Sequence, residues 1–399
     1  MKSTSSNEFV EVVLSDVLDT IENGNRPSGG IRVETEGIPS LGGEHLDSEG
    51  SFKLENIKLI PKGFYEKLKR GKIKKYDVLL VKDGATTGKV SFVDENFPYK
   101  MAAVNEHVFI LRGKPDRIDQ KYLFYHLLSP IGQNQIEKNF HGAAIGGINT
   151  QFIKNYTIYL PSLASQRKII TALERARKLI KLRKYSSKLV DNFLKSTFYE
   201  MFGDPVTNPK HWPKRKLLEF GLWRSGGTPS RSDSSNFNGD IPWYSSGELN
   251  SLFVIDSHEK INEKAIENSA AKIIQPNSLL LGMYDTAALK SSITKERCAC
   301  NQAIAYSKLE NNNVNIFYLY FAIQFGRKFF MSRQRGVRQK NLNLSMIENL
   351  EIPYPPIADQ NKFAKLVERI EILKHLQSKN LAYTDQLLHS LMQSAFKGE

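Results

Sequence analysis

The stretch LPSLASQRKIITALERARKLIKLRKYSSKLVDNFLKSTFYEMF, residues 160–202, contains no glycine, and its one proline, Pro161, stands at the start. Apolar residues recur in it at spacings of three and four, which is the pattern of an amphipathic helix. The pattern predicts a helix over 164–202 with Ser165 as its N-cap, roughly 58 Å long at about 1.5 Å per residue. A helix of this length needs a partner of similar length to bury its apolar face.

The other end of the chain supplies a matching stretch, YPPIADQNKFAKLVERIEILKHLQSKNLAYTDQLLHSLMQSAF, residues 354–396. It also begins with proline, continues with Ala-x-Gln and then shows apolar residues at helical spacing. Three residues of the first stretch recur 194 positions later, and the pairs are Pro161 and Pro355, Ala164 and Ala358, and Gln166 and Gln360. We therefore expect two long helices that pack antiparallel as a coiled coil.

The residues between these helices also repeat. Six segments of the first half reappear in the same order in the second half: 12–28 with 216–230, 37–46 with 240–249, 72–90 with 271–291, 102–111 with 298–307, 119–128 with 315–324, and 140–161 with 334–355. A repeat of this length indicates duplication of a whole structural unit.

Each half combines short β-rich runs with helical segments, and Gly, Pro, Asn and Ser lie between them. The predicted fold class is mixed α/β, with two similar globular domains joined by two long antiparallel coiled-coil helices in an internal pseudo-twofold repeat. The predicted boundaries are 9–160 for the first globular domain, 161–203 for the central helix, 204–353 for the second globular domain and 354–397 for the C-terminal helix.

The composition indicates a polyanionic partner. The formal net charge is +14 and the pI about 9.4, which favours nucleic acid, although a basic protein without such a role is the alternative. Cys298 and Cys300 are the two cysteines, and their spacing predicts neither a disulfide framework nor a zinc site. Without a signal peptide or a run of about 18 apolar residues, the sequence predicts a soluble protein of a reducing cytoplasm.

Three motifs resemble parts of catalytic sites but do not have the pattern that the corresponding chemistry needs. GATTGKV (84–90) has too few residues between its glycines for a phosphate-binding P-loop and lacks Ser or Thr after the lysine, so it predicts a surface loop. PDRIDQK (115–121) predicts a solvated turn before a helix, and PYPP (353–356) a turn that enters one. The sequence therefore predicts no catalytic, cofactor-binding or metal-binding residues.

The strongest binding signal is RKFFMSRQRGVRQKN, residues 327–341, which has six basic residues and no acid. Lys and Arg neutralise phosphates, Arg reads guanine, and Asn or Gln reads adenine in the major groove. A solvated basic helix end is the alternative. The candidate DNA-binding residues of this stretch are Arg333, Arg335, Arg338, Gln339, Lys340 and Asn341.

Further candidates flank the corresponding turns of the two halves, Lys82 and Lys89 in the first and Tyr284 and Lys290 in the second. The basic stretch 62–75 could also contact phosphates, although runs of charge are usually solvated faces. The loop 139–149, which matches 333–343, is apolar and rich in glycine instead. Two halves with such different loops are expected to read different sequences.

Taken together, these segments resemble the DNA specificity subunit of type I restriction-modification systems. The resemblance covers nearly the whole chain and depends on the duplicated order, on YLPSLASQRKI and YPPIADQNKF before the helices, on FGDPVTNPKHWPKRKL (202–217) and on the closing LLHSLMQSAFKGE. It implies two target recognition domains that read a bipartite, asymmetric site in double-stranded DNA, without catalytic residues of their own.

The resemblance also implies partners. These are two modification (methyltransferase) subunits and restriction (motor-nuclease) subunits, and S-adenosylmethionine, ATP and Mg²⁺ would be bound by them. Three alternatives stay open at this point: a specificity subunit of a methyltransferase-only complex, a stand-alone DNA methyltransferase or nuclease, and a coiled-coil scaffold without a DNA role.

Overall fold

The chain forms two compact units in a computed structural model that describes residues 9–27, 36–140, 146–309, 314–333 (Arg333 without its side chain) and 341–397. The first unit consists of Met1–Lys184 and Ser378–Glu399, and the second of Tyr185–Gln377. The α-helices are α1 (Leu14–Val17), α2 (Lys62–Lys67), α3 (Gln120–Leu128), α4 (Pro130–Lys138), α5 (Phe152–Asn155), α6 (Leu163–Phe202), α7 (Glu263–Glu267), α8 (Ile316–Arg333), α9 (Leu344–Glu348) and α10 (Ile357–Phe396).

The strands of the first unit form antiparallel and mixed sheets. They are β1 (Val10–Val13), β2 (Leu18–Asn23), β3 (Ile38–Leu41), β4 (Lys58–Ile60), β5 (Val78–Val81), β6 (Val90–Phe92), β7 (Ala103–Val104), β8 (Val108–Gly113) and β9 (Thr157–Leu160). One sheet has the antiparallel order β2-β8-β5-β6, and a second has the order β4-β3-β7 with β3 parallel to β7. Strands β1 and β9 form an antiparallel pair that brings the start of the unit to the start of α6.

The second unit repeats this topology strand by strand. Its strands are β10 (Lys214–Lys216), β11 (Arg224–Ser225), β12 (Ile241–Tyr244), β13 (Glu259–Ile261), β14 (Leu279–Gly282), β15 (Ser291–Ile293), β16 (Ala299–Cys300), β17 (Ile304–Ser307) and β18 (Glu351–Pro353). The sheet orders are β11-β17-β14-β15, β13-β12-β16 and β10-β18, and β12 is parallel to β16. The predicted internal repeat is therefore confirmed at the level of sheet topology.

The long helices begin near the predicted residues, but the predicted N-cap was wrong. Helix α6 starts at Leu163, so Ser165 lies inside its first turn. The Oγ atom of Ser162 accepts a hydrogen bond from the Ser165 N–H at 3.3 Å and caps the helix instead. Each long helix has 40 residues, about 60 Å at 1.5 Å per residue.

Both units contain a part of each long helix, and the helices run antiparallel there. In the second unit Gln377 Nε2 donates to Ser186 Oγ at 3.0 Å, and the rings of Phe363 and Phe198 are 5.4 Å apart. Residue numbers therefore rise along α6 while they fall along α10. In the first unit Phe396, near the end of α10, packs in the core that also holds the start of α6. The predicted fold class is confirmed.

The repeated glutamines explain why the two helix entries have the same sequence pattern. Gln166 is fully buried, accepts a hydrogen bond from the N–H of Asp119 at 2.8 Å and donates to the Pro161 carbonyl at 3.0 Å. Gln360 is likewise fully buried, accepts from the Asn315 N–H at 2.9 Å and donates to the carbonyl of the preceding proline turn at 2.8 Å. Each glutamine thus satisfies buried backbone groups where a long helix meets its globular unit.

Candidate nucleic-acid interface

The predicted residues of the first unit flank one turn, and those of the second unit flank the matching turn. Lys82 and Lys89 lie on either side of the turn between β5 and β6. Tyr284 and Lys290 lie on either side of the turn between β14 and β15. These turns, 82–89 and 283–290, are called the hairpin turns below.

Both hairpin turns have left-handed backbone at the same two positions, which different residues occupy. Gly84 and Gly88 both have φ of +89°, and the matching Asp285 and Leu289 have φ of +48° and +56°. Left-handed backbone is strained for a residue with a Cβ, by about 1–2 kcal/mol. Leu289 is fully buried in the hydrophobic core of the second unit, and this burial offsets the strain. The second turn is therefore fixed by packing, whereas the first depends on glycine.

A glutamine from the neighbouring helix holds each hairpin turn. Gln133 Nε2 donates to the Gly88 carbonyl at 2.9 Å, and Gln324 Nε2 donates to the Leu289 carbonyl at 3.1 Å. The framework of the turn is thus the same in both units, although the helices that provide it are α4 in one and α8 in the other.

Arg327 belongs to the basic stretch predicted to contact DNA, but its guanidinium is engaged inside the protein. Its Nε donates to the Ala288 carbonyl at 2.7 Å, and its Nη2 donates to the Thr286 carbonyl at 2.5 Å. Arg327 therefore braces the second hairpin turn. Arg327 was not one of the candidate residues, which begin at Arg333, and their contact with DNA stays a prediction.

Asn341 is the one predicted residue of the 333–341 stretch whose side chain is described. Its Oδ1 accepts a hydrogen bond from the Asp285 N–H at 3.2 Å, which places the end of the stretch against the second hairpin turn. Arg333 ends α8, and its side chain lies outside the described residues. The other predicted residues of this stretch also lie outside them: Arg335, Arg338, Gln339 and Lys340.

The lysines of the turns differ in their surroundings. Lys82 is mostly buried and forms an ion pair with Asp83 at 3.3 Å. Lys290 donates to Asn250 Oδ1 at 2.7 Å, and Lys89 is half-buried. Tyr284 packs partly against the core of the second unit. The structure thus places Asn341 against the turn that Tyr284 and Lys290 flank, whereas Lys82 and Lys89 flank the turn of the other unit.

Beside the first hairpin turn lies a charged cluster that the sequence did not reveal. His107 Nδ1 contacts Asp83 Oδ1, and His107 Nε2 lies 3.3 Å from Glu106 Oε1. The same Glu106 oxygen lies 2.6 Å from Arg26 Nε. These four residues come from three distant segments, so no spacing in the linear sequence could have predicted them.

The second unit has a neutral group in the place of this cluster. Asn105 and Asn301 mark the equivalence, because their Oδ1 atoms accept hydrogen bonds from the N–H two residues later, at 3.0 Å in the first unit and 3.1 Å in the second. Gln302 thereby corresponds to Glu106. Gln302 Oε1 accepts a hydrogen bond from Thr228 Oγ1, and in the first unit Glu106 contacts Arg26. The same backbone positions thus present charged side chains in one unit and neutral ones in the other.

A basic cleft of about 480 Å³ opens next to Arg26 in the first unit. Its wall includes the exposed side chains of Lys67, Lys69 and Arg70, which form no ion pair with any described residue. This part of the predicted basic stretch 62–75 is therefore available for a polyanion.

The rejected catalytic motifs have the structures expected of loops. The 84–88 turn joins two antiparallel strands rather than a strand and a helix, unlike a P-loop. Asp119 of PDRIDQK caps α3 by accepting from the Lys121 N–H at 2.9 Å. Burial raises the pKa of Cys298 to about 12, and both cysteines are buried.

The described residues offer neither a metal site nor a membrane span. Within them, no group of three or more His, Cys, Asp or Glu side chains could hold a metal ion. None of the helices that the structure describes combines the length and the apolar character needed to cross a membrane.

Comparison with known proteins gives matches over most of the chain. The family model described as the type I restriction modification DNA specificity domain matches residues 6–190 and 209–382. The EcoR124I/EcoR124II type I restriction enzyme specificity subunit of Escherichia coli is 24% identical over 319 residues, which is 75% of this chain and 74% of that protein.

Two solved structures share the fold. The S subunit of a type I restriction-modification system from M. genitalium has a TM-score of 0.60 at 15% identity and covers 99% of this chain and 98% of its own. A chain from work on complex assembly and conformational transition of the type I R-M system has a TM-score of 0.63 at 17% identity and covers 98% of both chains. Because the family model matches both halves of the sequence, this chain belongs to the type I restriction modification DNA specificity domain family.

Proposed function

We propose that this chain is the DNA-reading subunit of a type I restriction-modification complex, in which each unit reads one half of a bipartite, asymmetric target. The observation that carries the proposal is the pair of hairpin turns. Their framework hydrogen bonds are the same, from Gln133 in one unit and Gln324 in the other, while the side chains around them differ. A duplicated framework with different solvent-facing side chains fits two readers of two different sequences.

The charge of the chain supports binding to a nucleic acid. The formal net charge of +14 favours association with phosphates, whose neutralisation releases counterions. The basic cleft of the first unit provides the unpaired cations Lys67, Lys69 and Arg70 next to Arg26. Phosphate contacts would position the duplex, and the side chains at the hairpin turns would specify its sequence.

The long helices support docking of other subunits. Soluble proteins rarely leave many large apolar side chains exposed in one region. In the first unit such residues are Leu179, Leu182, Tyr383 and Leu387, and in the second unit they are Tyr185, Leu189, Phe193, Ile372, Leu373 and Leu376. We assign these faces to two modification subunits, with restriction subunits joining the complex for cleavage.

The chemistry would belong to those partners. In this proposal S-adenosylmethionine, the methyl donor, and ATP and Mg²⁺ are bound by the modification and restriction subunits. The present chain directs them to the target without a catalytic residue of its own. A complex that methylates the cell's own DNA works in the cytoplasm, where we place this subunit.

The decisive experiment maps methylated sites in host DNA with the modification partner present and this chain present or absent. A gapped, two-part motif methylated only in the presence of the chain is the expected result. Methylation that is the same with and without the chain contradicts the proposal, provided that the two proteins copurify.

A second variant tests the assignment of one half-site to each unit. Replacement of residues 333–341 by a glycine-serine segment of equal length is expected to change one half of the motif only, because this stretch meets the second hairpin turn. A change in both halves would contradict the division of labour between the units.

A further inference from the structure

The side chain of Arg26 is the most exposed member of the charged cluster. Its side chain is 58% exposed, and Nε faces Glu106 at 2.6 Å. Both Glu106 oxygens are shielded from solvent and accept no hydrogen bond from a described residue, so Glu106 holds Arg26 through an ion pair and is closed to an outside ligand. The two terminal nitrogens of Arg26 donate no hydrogen bond to another described residue, so they are free to bind an outside acceptor.

An arginine that is held by an ion pair and whose terminal nitrogens donate no internal hydrogen bond matches one base. Guanine presents O6 and N7 as paired acceptors in the major groove, and arginine binds both with two parallel hydrogen bonds. The ion pair with the carboxylate restricts the arginine side chain before binding, which reduces the loss of side-chain freedom on binding. A free surface arginine would instead favour phosphates, which carry no sequence information.

The second unit has Thr228 at this position, in contact with Gln302. One framework hydrogen bond beside the hairpin turns is the same in both units. Met283 N–H donates to the Ala303 carbonyl at 2.8 Å, as Lys82 N–H donates to the His107 carbonyl at 2.9 Å. A threonine there lacks the paired donors that guanine requires.

Resting on the proposed function, we propose that Arg26 reads a guanine in the half-site of the first unit and that Glu106 is its positioning residue. The second unit reads no guanine from the corresponding position, because Thr228 replaces the arginine. The assignment predicts a G·C base pair in one half of the target that is recognised by Arg26, with Glu106 as the residue that positions the arginine.

The test uses the assembled methyltransferase complex and duplexes with the motif mapped for the unchanged protein. Arg26→Lys keeps the positive charge but loses the paired donors. We expect discrimination against a G·C to A·T replacement to fall by about 10-fold or more at one position of one half-site. The salt dependence of binding and the recognition of the other half-site are expected to stay unchanged.

Glu106→Gln distinguishes a role of Glu106 in positioning Arg26 from a role in folding of the protein. The side chain keeps its size, and glutamine is the residue of the second unit at this position. Discrimination at the same G·C pair is expected to fall, while non-specific affinity rises slightly because a negative charge is removed. Loss of affinity for all sequences alike would indicate a merely structural role and overturn the assignment.

Arg231→Lys is the matched control. The Arg231 side chain is also 58% exposed, but its Nη1 and Nη2 both bind Glu259 at 2.8 Å, so its fork is occupied. This variant is expected to leave both half-sites unchanged. If Arg26→Lys leaves the methylated motif as it is, the inference is overturned while the proposed function stands. If the protein without substitutions gives no chain-dependent motif, the proposed function itself is overturned.

Discussion

Residues 58–71 of the first unit and 259–272 of the second follow the same path, from an edge strand through a short helix to the next segment, yet they differ in charge. The first segment contains five basic residues and one acid, whereas the second contains three of each. In the second unit the concentration of positive charge lies instead in residues 327–341, where six basic residues occur without an acid.

This difference separates residues that maintain the fold from residues that are free to vary. Gln166 and Gln360, like Asn105 and Asn301, make the same backbone hydrogen bonds in both units. Charged side chains are not repeated in this way. The duplicated framework therefore holds the turns in place, and the choice of partner rests on side chains that differ between the units.

The largest expected difference in stability between the units concerns a buried ion pair, Arg112 with Asp77, which only the first unit has. Arg112 binds both oxygens of Asp77, at 2.6 and 2.7 Å, and Asp77 is 2% exposed. Burial raises the pKa of the Asp77 carboxyl, and the bonds from Arg112 and from the Lys74 N–H oppose this rise. Arg112→Ala leaves a buried charge unpaired, so we expect a loss of about 3–5 kcal/mol of stability.

Hydrogen exchange of the β5 and β8 amides, followed with denaturant, measures this loss within the first unit. Arg231→Ala, followed through the β12 and β13 amides of the second unit, is the control, because its ion pair with Glu259 is exposed and is expected to contribute at most about 1 kcal/mol. Equal effects of the two variants would show that burial of Asp77 does not determine the cost.

A smaller difference in stability between the units depends on pH. His126 in α3 is fully buried, and its Nδ1 lies 2.8 Å from the Tyr156 hydroxyl. Burial lowers the pKa of His126 from 6.5 to about 3. Below pH 6.5 the unfolded chain therefore binds a proton that the folded unit does not, and stability falls as the pH decreases. Ala322 takes the place of this histidine in the second unit.

We expect the first unit to lose about 2 kcal/mol between pH 8 and pH 5 through His126. The His126→Asn variant has no group that titrates in this range, so the pH dependence of exchange in α3 should decrease even if the variant is less stable at neutral pH. The same pH slope in the variant and in the unchanged protein would assign the effect to other groups.

Periodicity and repetition in the sequence were sufficient to predict the long helices and the duplicated units. The prolines and glutamines before each helix made the repeat visible, because both copies have to satisfy the same buried backbone groups. The N-cap was misplaced by three residues, since Ser162 and Ser165 are equally suitable caps by residue type.

The candidate site was less accessible to sequence reasoning. The turns with Lys82 and Tyr284 could be located from the repeat alone. That Arg327 would bind the carbonyls of a distant turn could not, because its sequence neighbours are all consistent with a solvated cation. Arg26 and Glu106 are 80 residues apart, and only the pairing of strands brings them together.

The smallest expected effect is a change in the salt dependence of DNA binding through the basic cleft. It tests the difference in charge between the two units directly. Replacing its three cations by the residues of the second unit gives Lys67→Asn, Lys69→Ala and Arg70→Ala. If they contact phosphates, the slope of log K against log salt should become shallower by about 1 to 3, since each lost contact removes about 0.9. Discrimination between target sequences should stay the same, because phosphate contacts carry no base information.

The control removes Lys260, Lys264 and Lys272 from the corresponding segment of the second unit, which has as many acids as bases. Both triple variants lose the same formal charge, so a non-specific effect of net charge would change both slopes alike. A larger change in the first unit would show that position, rather than total charge, determines where the duplex is held. In that case the phosphate contacts, like the base contacts, differ between the two units.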